Sequence, residues 1–202
     1  MRTKELFHEL KHHLPFTASA TIIAIILIIF LQYIFQKKIS DGLFEIFHPF
    51  HIIVSSIVTA GIFYKYKSEL ISALLVGLTG SIIMGSLSDI ILPWFGGNML
   101  GFGTSFHLPL IEKPVLILSS ALIGSSIGIS TQITKIPHFI HIFLSVFASL
   151  FYLLAFSSIF NLIYFIGTFL IVFISVIIPC CTSDILFPFF FLGEKIKKCK
   201  CR

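Results

Sequence analysis

Two aspartates stand in hydrophobic sequence, each in nearly the same setting: SDIILP at 88–93 and SDILFP at 183–188. Each follows a row of imidazoles and hydroxyls. His48, His51, Ser55 and Thr59 precede Asp89; His138, His141, Ser145 and Ser149 precede Asp184. On a helix advancing about 100° per residue, each row falls within an arc of about 80°. Imidazole with carboxylate is a common ligand set for Zn²⁺, Fe²⁺ or Mn²⁺. The predicted metal ligands are therefore His48, His51 and Asp89 in one set, and His138, His141 and Asp184 in the other. Ser55, Thr59, Ser88, Ser145, Ser149 and Ser183 are poor ligands for such ions and are expected to orient the histidines and aspartates. Cys180 and Cys181 would make the second set softer.

The packing alternative is ordinary. A histidine inside a membrane is often only hydrogen-bonded, and Ser or Thr often bonds its own i−4 carbonyl. Two aspartates tip the balance toward function, because a charge at mid-membrane costs on the order of 3 kcal/mol or more.

The elements that must position these residues are set by composition. Of the 202 residues, 56% are hydrophobic and 11% charged, and mean hydropathy is +1.03. A soluble domain carries roughly 25% charged residues. Apolar runs at about 17–36, 49–64, 70–93, 114–131, 138–158 and 161–190 each approach the roughly 20 residues that cross a bilayer. The expected fold is an all-α polytopic membrane bundle of about six transmembrane segments. With the N-terminus inside, the inner segments carry eleven Lys and Arg and the outer loops only Lys37, Lys38 and Lys113, which places both termini in the cytoplasm of a plasma or inner membrane. The net charge of +5 then reflects anionic inner-leaflet lipid and calls for no nucleic acid.

The histidine rows repeat at an offset of 90 residues and the aspartate strings at 95, the mark of an internal duplication. Three crossings per unit would invert the second copy, an architecture that resembles the inverted repeats of secondary transporters. The third and sixth apolar runs exceed the hydrocarbon thickness, so both are expected to break near Ser88–Asp89 and Ser183–Asp184. The organisation read from the chain is an interfacial amphipathic segment (1–16), a first three-helix repeat (17–97), an outer Gly-rich loop (98–113), a second repeat (114–193) and a basic cytoplasmic tail (194–202). A homo-oligomer is compatible with all of this.

Weaker candidates surround the two rows. Asp41 and Glu45 precede His48 at helical spacing and can form an acidic mouth, although a solvated face is the simpler reading. His107 and Glu112 lie in the outer loop, where His107 can join the outer set. The loop glycines fit neither a phosphate loop nor a dinucleotide pattern. His8, His12 and His13 resemble a metal-catching tract only loosely. Cys199 and Cys201 read as free thiols in a topology anchor.

With no nucleotide-binding motif, the function expected is gradient-driven transport of a divalent metal ion (Zn, Fe or Mn), with protons as a coupling ion. The two sets, one toward each face of the membrane, would be an entry site and an exit site; convergence of both aspartates on one centre is the alternative geometry. The competing readings are an intramembrane metalloenzyme acting on a lipid and a haem-binding electron-transfer protein with axial histidines.

Overall fold

The computed structural model describes residues 14–30 except 16 and 28, together with 41–132, 135–158, 162–183 and 191. No strand occurs among them. The elements are α1 (Thr17–Leu27), α2 (Asp41–Tyr66), α3 (Leu70–Ser86), a π-helical turn (Leu87–Ile91), α4 (Leu92–Met99), α5 (Pro109–Glu112), α6 (Pro114–Thr131), α7 (Lys135–Phe156) and α8 (Leu162–Ser183). Helix is the form that apolar sequence takes where no water can satisfy backbone N–H and C=O groups. Among the described residues, three stretches are long and apolar enough to cross a membrane: Gly42–Tyr66, Leu70–Met99 and Pro114–Thr131. Their outward faces carry Ile71, Leu75 and Ile83 on α3 and Leu118 and Leu122 on α6, side chains suited to lipid.

The middle of the bundle is α2, which packs against α3, α6 and α7. Its approach to α6 is close because α6 offers no side chain there. A Cβ on Gly124 would strike Ser56 Oγ and the Ile53 carbonyl, and one on Gly128 would strike the Ile57 carbonyl. Small residues four apart let membrane helices meet backbone to backbone, where dispersion replaces the missing hydrophobic drive. On the other side, Phe47 of α2 stacks on Phe147 of α7 at 5.6 Å. A large apolar cluster joins Phe44, Ile90, Ile142, Val146, Leu150 and Val172 with Ala20 and Ala24 of α1.

The expected break in the third run is absent. Helix continues from Leu70 to Met99, and the Ser-Asp string forms the π turn, where Leu92 N–H reaches back five residues to the Leu87 carbonyl. The helix thus absorbs one extra residue without exposing a full set of terminal groups. In the sixth run helix also persists through Ser183, with Pro179 inside it; Asp184 and the rest of its string lie outside the described residues. So do residues 1–13 (with His8, His12 and His13), Lys37, Lys38 and the tail with Cys199 and Cys201.

Between α4 and α5 the chain forms a pinned loop. Gly101 and Gly103 take φ of 74° and 61°, a region glycine enters without steric cost. Ser105 N–H donates to the Phe156 carbonyl at 2.9 Å, and Ser158 N–H donates to the Phe102 carbonyl at 3.0 Å. Tyr152 OH donates to the Ser105 carbonyl at 3.1 Å and accepts from His107 N–H at 3.2 Å. The loop is tied to the end of α7 at both edges.

Candidate functional site

Asp89 lies in the π turn and is completely buried. Its Oδ2 accepts from His48 Nδ1 at 2.8 Å and from His51 Nδ1 at 2.6 Å. Its Oδ1 accepts from Ser88 Oγ at 2.7 Å and Ser145 Oγ at 3.1 Å. A carboxylate has about four lone-pair sites, and here four side chains occupy them. An ionised carboxylate only accepts, so each histidine directs an Nδ1–H at Oδ2 and turns its Nε2 away from the aspartate. Neither Nε2 has a hydrogen-bond partner.

The local sequence explains how this turn is held. Pro93 has no N–H, so it cannot serve the Ser88 carbonyl five residues back in the π pattern. The Ser149 hydroxyl of α7 shares its one hydrogen between the Ser88 carbonyl, at 3.0 Å, and its own i−4 Ser145 carbonyl, at 2.7 Å. The string Ser-Asp-Ile-x-x-Pro is therefore a turn that needs an outside hydroxyl. The first row of α2 supplies the imidazoles; the second row, on α7, supplies the hydroxyls.

Histidine rings extend the centre. His141 of α7 meets His51 with centroids 4.6 Å apart and planes at 61°. His48 stacks on Phe44, one turn earlier, at 5.4 Å. Beyond Phe44 lies His107, edge-on to it at 6.0 Å. His107 also stacks on Phe156 at 4.5 Å and pairs through Nδ1 with Glu112 at 2.8 Å. It is thus separated from the Asp89 cluster by the Phe44 ring.

The predicted residues fall into three groups. His48, His51, Ser88 and Asp89 come together with His141, Ser145 and Ser149, so residues expected on opposite sides of the membrane share one centre. Ser55 and Thr59 continue the α2 row, buried and without hydrogen-bond partners. His138, Cys180, Cys181 and Ser183 belong to α7 and α8, but their side chains, like Asp184, lie outside the described residues. Among the described residues no three His, Cys, Asp or Glu side chains are grouped as metal ligands. Asp89, expected as a direct ligand, spends its oxygens on the four donors, and Glu45, on the helix face read more simply as solvated, pairs with Lys113 at 2.6 Å. Sequence reasoning missed Tyr152, which anchors the loop, and the close contact at Gly124 and Gly128, although two glycines four residues apart were the signal for it.

Comparison of the chain with protein-family models, with curated proteins and with solved structures finds no match.

Proposed function

We propose that this chain is a small integral membrane transporter of divalent metal ions, driven by gradients and coupled to protons, with one centre built around Asp89. The observation that carries this reading is a fully buried carboxylate, in a helix long enough to cross a membrane, holding two imidazoles by Nδ1. Apolar residues of similar volume stabilise a core as well as a buried ionic group does, or better. An Asp–His–His cluster in such a place is kept for its chemistry. The carboxylate–histidine pairing fixes the orientation of each ring, the arrangement that surrounds many metal ligands. In this reading Asp89 orients, the Nε2 atoms of His48 and His51 bind the ion, and His138, His141 or Asp184 of the second half completes the ligand set. A proton on Nε2 competes with the metal, which couples the two.

The same reading includes six crossings in two inverted three-helix units with both termini cytoplasmic. The ring contact between His51 and His141 supports it, since equivalent residues meet where a two-fold axis passes. The burial of Ala20 and Ala24 of α1 in the cluster that includes α7 also supports it, as a counterpart of α6 against α2.

Proteoliposomes carrying a pH dye and a metal indicator test the proposal. Inward Zn²⁺, Fe²⁺ or Mn²⁺ flux with proton counterflow is expected, and Asp89→Ala abolishes both. If none of these ions moves, the proposal is wrong. A second reading, an intramembrane metalloenzyme, gains from the convergence of both rows on one centre; a single metal retained per chain through purification, with no flux, would establish it instead.

A further inference from the structure

The row that begins at His48 does not stop at the Asp89 centre. Ser55 and Thr59 continue it along the same face of α2, and both are buried, 1% and 0% exposed. Four successive positions of this face, His48, His51, Ser55 and Thr59, each carry a side-chain polar atom with no hydrogen-bond partner: Nε2, Nε2, Oγ and Oγ1. At 1.5 Å per residue they span about 16 Å of helix.

Exposed hydroxyls of this bundle behave differently. Thr79 donates to the Leu75 carbonyl at 2.7 Å, and Ser126, Ser130 and Thr131 of α6 donate to their i−4 carbonyls at 2.8 Å. That is how a hydroxyl facing lipid satisfies itself. Ser55 and Thr59 have the His51 and Ser55 carbonyls at the same i−4 spacing and leave them unused. A buried polar atom left without a hydrogen bond destabilises the fold, so four in one row call for a shared occupant. Water fits: it bonds two to four polar partners and settles in buried polar rows, never in dry apolar ones. On the facing helix α3, Ser86 Oγ is likewise buried and without a partner.

We propose that His48, His51, Ser55 and Thr59 line a hydrated track, a file of bound water running from the Asp89 centre along α2 toward its Lys65 end. The use of that track as a wet path for the transported ion rests on the transport reading, but its hydration is measurable without any cargo.

The test is hydroxyl-radical footprinting of the wild-type chain in liposomes, in which water itself generates the probe. After correction for intrinsic reactivity, His51 is expected to oxidise at least ~10-fold faster than lipid-facing Leu75 and Ile83, because labelling requires adjacent water. Thr59→Val, which keeps shape and removes the hydroxyl, lowers labelling of His51 severalfold; Thr59→Ser leaves it near wild type and serves as the folded control. Labelling of His51 no faster than Ile83, or unchanged in Thr59→Val, overturns the track. Labelled His51 with no ion flux leaves the track standing and removes the transport reading, whereas metal flux with His51 unlabelled does the reverse.

Discussion

His51 and His141, equivalent positions in the two halves of the sequence, touch edge to face at 4.6 Å. Imidazoles so placed share one environment, and a charge gained by one is felt directly by the other. The two polar rows therefore act as parts of one centre, with α2 contributing the imidazoles on Asp89 and α7 the hydroxyls that hold the π turn. Four predictions follow from the packing and charge around that centre.

Asp89→Ala removes the acceptor for four buried donors. We expect a net loss of about 3–5 kcal/mol, because buried donors left unpaired cost about 1–3 kcal/mol each, while the desolvation of the carboxylate is no longer incurred. Asp89→Asn keeps one acceptor oxygen and costs less. Thermal unfolding in detergent measures both, and equal melting temperatures for the Ala variant and wild type would show that the cluster carries no stability.

Ser145→Ala and Ser149→Ala each delete a bond to the π turn. Single losses of about 1–2 kcal/mol are expected. Because both hydroxyls act on the same turn, and Ser149 also bonds the Ser145 carbonyl, the double variant departs from additivity by at least ~0.5 kcal/mol. A double-mutant cycle in denaturant gives the coupling directly.

Gly124→Leu and Gly128→Val force α6 away from α2. The clash is with backbone carbonyls, which cannot swing aside, so a loss above ~3 kcal/mol is expected. Gly101→Ala is the contrast: nothing lies within 4 Å of its Cβ position, and only the positive φ resists, at about 1 kcal/mol. Melting curves rank the three.

Glu69, at the exposed turn after α2, is held below the usual glutamate range, first by Lys67 at 3.0 Å and then by Ser72 Oγ at 2.9 Å. A lowered folded value means its contribution is present above the unfolded pKa and is lost as pH falls through the folded one. An NMR titration should place its midpoint below that of an unpaired glutamate, and Lys67→Ala should move it upward.

Much of the site was legible because intramembrane polar residues are rare and their spacing is short-range. His48, His51 and Asp89 could be grouped from helical period and burial cost alone. Their partners on α7 could not, because which helices become neighbours depends on the close approach at Gly124 and Gly128 and on aromatic contacts such as Phe47–Phe147. The break expected at Ser88 became a π turn for a related reason. Ser and Pro signal a helix end only when nothing outside the helix serves the freed carbonyl, and here Ser149 does. The roles of Asp89 and the serines were likewise fixed by hydrogen bonds that cross between helices, which no spacing along one helix encodes.

The π turn has a geometric consequence. It stores one surplus residue in an otherwise continuous rod, which sets the side chains beyond it about 100° out of phase with those before it. One span of helix thus packs its α3 part against α2 and α6 and its α4 part against α7 and α8.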